Sequence, residues 1–238
     1  MTYRWNWSVL VTEPYLGWLL SGLTWTLLVA GTAWIVALLI GTGVGILRTL
    51  PSRTARALGT VYVEIFRNIP LLLQLFLWYF VIPELLPAEI GRWIKRDLPM
   101  PEFWTAALGL GLFTAARIAE QVRAGIEAVG RGQAMAAAAS GLSTAQAYRH
   151  VLLPIAARNV LPPLTSEFLN IVKNSSLALT IGVLELTGQS RQIESNTFQG
   201  IEAFTAATLI YVLLTMLVIA AMRTVERATA IPGILARA

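Results

Sequence analysis

From Pro14 to Leu47 the chain carries no charged residue, a run longer than the roughly 20 residues needed to cross the hydrocarbon core of a bilayer. Lipid offers backbone groups no hydrogen-bond partner, so such a run is expected to form a helix whose N–H and C=O groups pair with one another. The rest of the chain has the same character. It has 238 residues, 56% of them hydrophobic and 13% charged, and its mean hydropathy is +0.65, which is too apolar for a soluble domain of this size. A polytopic, all-α membrane protein with a single transmembrane domain over residues 1–238 is expected.

Several function classes fall away on composition. The net charge is +5, but the basic residues stand singly between apolar runs instead of clustering, so nucleic acid is not an expected partner. Without cysteine there is no disulfide framework, thiolate zinc site or cysteine nucleophile, and the lone His150 cannot build a His-rich metal site. No metal, cofactor or catalytic residue is expected. The front, MTYRWNWSVLVTEPY, lacks the basic and short apolar regions of a cleavable signal, so the first apolar segment is expected to remain as an anchor. The eight Trp suit membrane interfaces, where the indole buries its ring and keeps its N–H wet.

About five spans follow, near residues 16–47, 57–83, 103–127, 163–186 and 203–223. Gly31, Gly41, Gly43 and Gly45 offer the first span a face that another helix can approach closely. In the second, Glu64 and Arg67 lie three apart on one face and can neutralise each other at the membrane edge. Pro70 is expected to kink that helix and free a carbonyl, with Gln74 one turn later as its partner, and Pro83 and Pro87 to end it. The third span crosses only if it continues through Arg117, Glu120 and Arg123. Pro162 and Pro163 mark the start of the fourth, around the apolar Leu177–Leu184, and residues 185–202 form a mainly acidic loop.

Lys and Arg placement sets orientation, because basic loops stay cytoplasmic. Arg48–Arg56, Arg123–Arg158 and the tail with Arg223, Arg227 and Arg237 fall on one side, which puts the N-terminus outside and the C-terminus inside. The long connection at about 128–160 is then cytoplasmic. Within it, Gln133–Ser140 is rich in small helix formers, Gly141 suits a left-handed C-cap, and Ser143 can cap a second helix carrying Ala147, Val151 and Leu152, with Leu153-Pro154 as a stop. Helix, sharp turn and helix give a docking surface, with Arg149 and His150 at its rim. An amphipathic hairpin lying on lipid headgroups is the competing reading.

These residues resemble a known family. Ala136, Ala137, Gly141, Val151, Leu153 and Pro154 follow the pattern of the EAA loop of ABC importer permeases, with Met135 where a Glu usually stands and Gly130 where a Pro often does; the resemblance implies that Leu142 and Arg149 share the coupling surface. YVEIFRNIPLLLQ and LPPLTSEFLNIVKNSSL resemble the polar amino acid branch, closest to glutamate/aspartate permease subunits. The resemblance implies a type I ABC importer permease fold in a bacterial inner membrane. It also implies cytoplasmic ATP-binding subunits docked on the loop, a periplasmic amino-acid-binding protein and a second permease subunit. No G-x-x-x-x-G-K-[ST] phosphate loop occurs, so ATP hydrolysis is expected on a separate subunit. Met135 suggests a paralogous partner that supplies the missing Glu.

Charges at membrane depth usually face a bundle interior or a wet cavity. Arg117, Glu120, Arg123 and Glu127 form an alternating ladder that can neutralise itself, and Glu167 can pair with an Arg from elsewhere. Arg117 is the deepest, and its planar fork suits a carboxylate. In the resembling family this helix borders the translocation path, so Arg117 and Glu120 are candidate pathway residues. Lys173, Asn174 and Ser175 stand at the family's K-D-[TS]-S-L position, with Asn for Asp, and are candidates too. Glutamine or another polar amino acid is the alternative substrate. A membrane enzyme has little chemistry to work with, and a scaffold protein would not need charges inside the bilayer.

Overall fold

The uncharged run forms one unbroken helix, α1 (Tyr15–Leu47), in the computed structural model, which describes residues 3–229. Arg237 lies outside the described residues. At 1.5 Å per residue the 33 residues of α1 rise about 50 Å, more than a ~30 Å hydrocarbon core requires. All secondary structure among the described residues is helical.

After Pro51 the chain forms α2 (Arg53–Asn68), breaks at Ile69-Pro70, and resumes as α3 (Leu71–Phe76), a π turn (Leu77–Val81) and α4 (Ile82–Leu85). The two halves are bent by 104°. Pro70 adopts ψ 135°, outside the helical region, and the Gln74 amide donates to the freed Ile69 carbonyl at 2.9 Å. Gln74 is buried, so replacing it with Leu strands that carbonyl. Gln74→Leu is expected to destabilise the chain by about 1–3 kcal/mol, read as a lower melting temperature in detergent. An unshifted transition would show that water or lipid headgroups reach Ile69.

Two prolines expected to stop helices do not. A proline cannot donate to the carbonyl four residues back, and each of these two is preceded by a π turn that shifts the ladder by one residue. The Ile82 N–H bonds to Leu77 O just before Pro83, and the Leu153 N–H bonds to Tyr148 O just before Pro154. The first helical run therefore ends at Leu85, and Pro87 N-caps α5 (Ala88–Arg92) instead.

After a further π turn (Trp93–Asp97), α6 (Pro101–Glu127) carries the expected charge ladder. Next come α7 (Arg131–Ala139), α8 (Thr144–Ala147), the π turn Tyr148–Leu152 and α9 (Leu153–Asn174), the last three as one continuous helical run. This corrects the expected fourth span. Pro162 and Pro163 lie inside α9 instead of starting it, because the run is nucleated at Ser143, and the α-helix ends before Leu177. Ser175 and Ser176 turn their hydroxyls back onto Val172 O and Lys173 O at 2.7 and 2.8 Å. Such side-chain competition for carbonyls tightens the chain into a 3-10 helix (Ser175–Ile181), which Gly182 ends at φ +98°.

The expected acidic loop is also corrected. Most of it is α10 (Leu186–Thr197), N-capped by Glu185, whose carboxylate accepts from the Thr187 and Gly188 N–H groups at 3.0 and 2.9 Å and from the Tyr211 hydroxyl at 2.6 Å. The chain then forms α11 (Gly200–Thr229). Among the described residues, α1 and Gly200–Ala228 are long and apolar enough to cross a membrane alone, and the bent pair α2 with Leu71–Leu85 makes a third if counted as one span.

The helices contribute to two compact units. One takes the chain up to Ile35 with Ile69–Gly111 and Asn170–Leu217; the other takes Val36–Asn68, Leu112–Leu169 and the described residues from Val218. The first has a core of Leu19, Leu186, Ile193, Ala203 and Ala207. The second packs Val63, Ala116 and Ala119 with Val44, Tyr62 and Phe66.

Candidate functional site

Gly130, at φ +84°, turns the chain into α7, whose small side chains leave most of its surface exposed: Met135 and Ala136 face outward while Ala137 is buried. The helix ends in a Schellman motif. Gly141 sits at φ +79° and donates to Ala138 O at 3.0 Å, while the Leu142 N–H reaches Ala137 O at 3.2 Å. Two residues on, Ser143 and Gln146 form a capping box, the hydroxyl accepting from the Gln146 N–H and the Gln146 amide oxygen accepting from the Ser143 N–H. Caps on both sides of Gly141 thus fix the turn by local hydrogen bonds, as the sequence predicts. Arg149 and Pro154 are exposed and Leu153 half-buried. The element presents a surface of small side chains, with Met135 and the cationic Arg149 also exposed.

The charge ladder of α6, Arg117 to Glu127, resolves into two groups, both in the second unit. Arg48, at the end of α1, pairs with Glu120; Arg123 pairs with Glu120 and, at 2.6 Å, with Glu127. The Arg117 Nε donates to the Glu167 carboxylate at 2.7 Å, and the Gln121 amide donates to its other oxygen at 2.9 Å. Glu167 is only 5% exposed in its side chain, whereas Arg117 is 44% exposed. One nitrogen of the fork is therefore committed to Glu167, while the Arg117 side chain as a whole stays nearly half exposed. Glu64 and Arg67 form no ion pair; the Asn68 amide bonds to Glu64 instead.

Of the third candidate group, Lys173 is exposed, Asn174 ends α9, and Ser175 is buried against Val172 O. The hydroxyls of Ser175 and Ser176 are thus spent on shaping the backbone. Sequence reasoning missed Arg48 as the partner of Glu120 and Glu185 as a buried helix cap. Arg48 was visible only as a basic residue after an apolar run, and Glu is an uncommon N-cap.

Helices long and apolar enough to span a bilayer, with ion pairs set between them and an exposed, capped connection, define an integral membrane protein. The chain belongs to the family described as binding-protein-dependent transport system inner membrane component, whose family model matches residues 37–231. It is 48% identical over 241 residues to the glutamate/aspartate import permease protein GltJ of Escherichia coli (strain K12), covering 98% of both chains. It is 36% identical to the probable glutamine ABC transporter permease protein GlnM of Bacillus subtilis (strain 168), over 83% of this chain and 86% of that one. Among solved structures, an amino acid ABC transporter crystallised with histidines superposes with a TM-score of 0.79 at 29% identity, covering 95% of this chain and 100% of that chain. The chain is therefore a transport subunit of an ABC importer and not an enzyme, and it works with an ATP-binding subunit and a substrate-binding protein.

Proposed function

We propose that this chain translocates glutamate and aspartate across the inner membrane. The observation that carries the reading is the 48% identity over 98% of both chains to a glutamate/aspartate permease, against 36% to a probable glutamine permease. The chain has five spans, its N-terminus outside and its C-terminus in the cytoplasm. It pairs with a paralogous permease, which supplies the acidic residue absent at Met135. Met135, Ala136, Ala137, Gly141, Leu142, Arg149, Leu153 and Pro154 form the element seated on the ATPase. The capped turn at Gly141 makes that element stiff enough to transmit movement, and the run from Thr144 to Asn174 is its lever. The Arg117 side chain, 44% exposed, meets the anionic side chain of the substrate.

The test is uptake by the complete transporter in vesicles with its binding protein. Labelled glutamate is expected to accumulate only with ATP and to be displaced by aspartate and not by glutamine. Displacement by glutamine alone would overturn the substrate assignment. Arg149→Glu is expected to abolish co-purification with the ATPase, and normal co-purification with normal uptake would overturn the docking role of the loop.

A further inference from the structure

Among the described residues, a long polar contact that the docking role does not require ties the helical run after the Ser143 cap to a distant part of the second unit. Tyr148, the first residue of the π turn, extends its hydroxyl to Thr49, 99 residues away, at 2.9 Å from the carbonyl and 3.0 Å from Oγ1. Thr49 lies just past the end of α1, and its own hydroxyl donates to Ile46 O at 2.8 Å, so the contact continues into the last turn of that helix. The last carbonyls of a helix have no intrahelical partner, and a side chain that supplies one is held there.

The neighbouring residue makes this corner a junction. The Arg48 guanidinium pairs with Glu120 on α6, and its aliphatic stem lies so close over Gly59 of α2 that a Cβ at Gly59 would stand 2.6 Å from Arg48 Cγ. Residues 48 and 49 thus join α1, α2 and α6 to the helix that follows Gly141. The π turn sets where Tyr148 points: Pro154 removes the ordinary rung to His150 O, the ladder shifts by one residue, and Tyr148 O takes the Leu153 N–H.

We propose that Tyr148 is a positioning residue that latches the coupling loop to the end of α1, so that movement of the loop reaches α1 directly, beside the contacts that α9 makes with α6 through Glu167. The proposal rests on the docking reading of the loop given above. The latch travels with the loop throughout the cycle, and ATP hydrolysis without it turns over with less substrate moved.

The experiment compares uptake with ATP hydrolysis in the complete transporter reconstituted in vesicles with its binding protein. Tyr148→Phe keeps the ring and removes only the hydroxyl. Expected are unchanged co-purification with the ATPase, unchanged hydrolysis, and a fall in substrate moved per ATP of about 2- to 10-fold, the factor one hydrogen bond of ordinary net strength sets on an equilibrium. Thr49→Ser, which keeps the hydroxyl, is expected to retain the wild-type ratio. A wild-type ratio in Tyr148→Phe overturns the latch while leaving the docking reading intact, whereas normal co-purification and uptake in Arg149→Glu overturns the docking reading itself. Because the chain has no native cysteine, a Thr49→Cys/Tyr148→Cys variant supplies a second arm that does not depend on Tyr148→Phe assembling. Bridging the two thiols with a short bifunctional reagent is expected to restore the ratio, and a further loss of uptake on bridging overturns the proposal.

Discussion

Arg117→Ala is expected to destabilise the chain by up to about 3–5 kcal/mol, the range for leaving a buried charge without its partner. The loss comes mainly from the residue left behind. Glu167 is 4% exposed overall, and without Arg117 its carboxylate keeps only the Gln121 amide. The reverse change is milder: in Glu167→Gln the buried charge is gone, while Arg117, 44% exposed in its side chain, retains access to surroundings that can solvate it. The introduced amide can also donate to Gln121 Oε1, which is buried without a partner. Expected, then, are a low yield of folded Arg117→Ala on size-exclusion in detergent, a near-normal yield for Glu167→Gln, and substantial recovery in Arg117→Ala/Glu167→Gln. A stable Arg117→Ala single variant would mean that Glu167 is not buried as charge. The double variant also separates structure from transport. If it assembles and still takes up glutamate poorly, Arg117 acts on the substrate; if uptake returns with assembly, Arg117 serves only Glu167.

That pair shows where sequence reasoning stops. Arg117 and Glu167 are each conspicuous as charges inside apolar helices, but they are 50 residues apart, and no pattern in either neighbourhood names the other. Arg48 and Glu120 are 72 apart, and the expected neighbour pair Glu64 and Arg67 does not form at all. Local devices were legible because their partners are local. Gly141 and Ser143 cap helices with hydrogen bonds spanning three to five residues, and Gln74 lies one turn from the carbonyl it satisfies.

Helix ends followed the same division. The uncharged run located α1 to within a residue, since a basic residue and Pro51 follow it directly. For α11, charge marks the edge of the apolar segment and not the end of the helix, which continues through Arg223, Glu226 and Arg227. The region from Pro154 to Leu184 misled for a different reason. Prolines read as helix boundaries, but a π turn absorbs one and a long run started at Ser143 carries the next two, while the apolar stretch Leu177–Leu184 is turned into a 3-10 helix by the serines before it and ended by Gly182.

Glycines in α1 give the second large effect, because only some of them face a helix. A Cβ at Gly45 would stand 2.6 Å from Val122 Cβ and 2.8 Å from Ala119 O, and one at Gly41 would stand 2.7 Å from Ile118 Cβ and 2.8 Å from Ala115 O. The two glycines are four residues apart on one face of α1, set against one face of α6, and the atoms they meet belong to or adjoin the backbone. No rotamer change relieves such a clash, so a side chain there must push the helices apart. Gly43 and Gly31 meet nothing within 4 Å. Gly45→Leu is therefore expected to destabilise by about 3 kcal/mol or more, at or above the upper end for overpacking, while Gly43→Leu is neutral or slightly stabilising because a helix-interior glycine is replaced by a better helix former. Unfolding titrations of the two variants in mixed detergent micelles provide the comparison, with equal midpoints counting against the close approach. Gly45 is also one turn from Arg48, and Ala119 is next to Glu120. Separating the helices there strains the Arg48–Glu120 pair, so any Gly45→Leu protein that still assembles is expected to hydrolyse ATP with reduced uptake, as Tyr148→Phe does, whereas Gly43→Leu keeps the wild-type ratio.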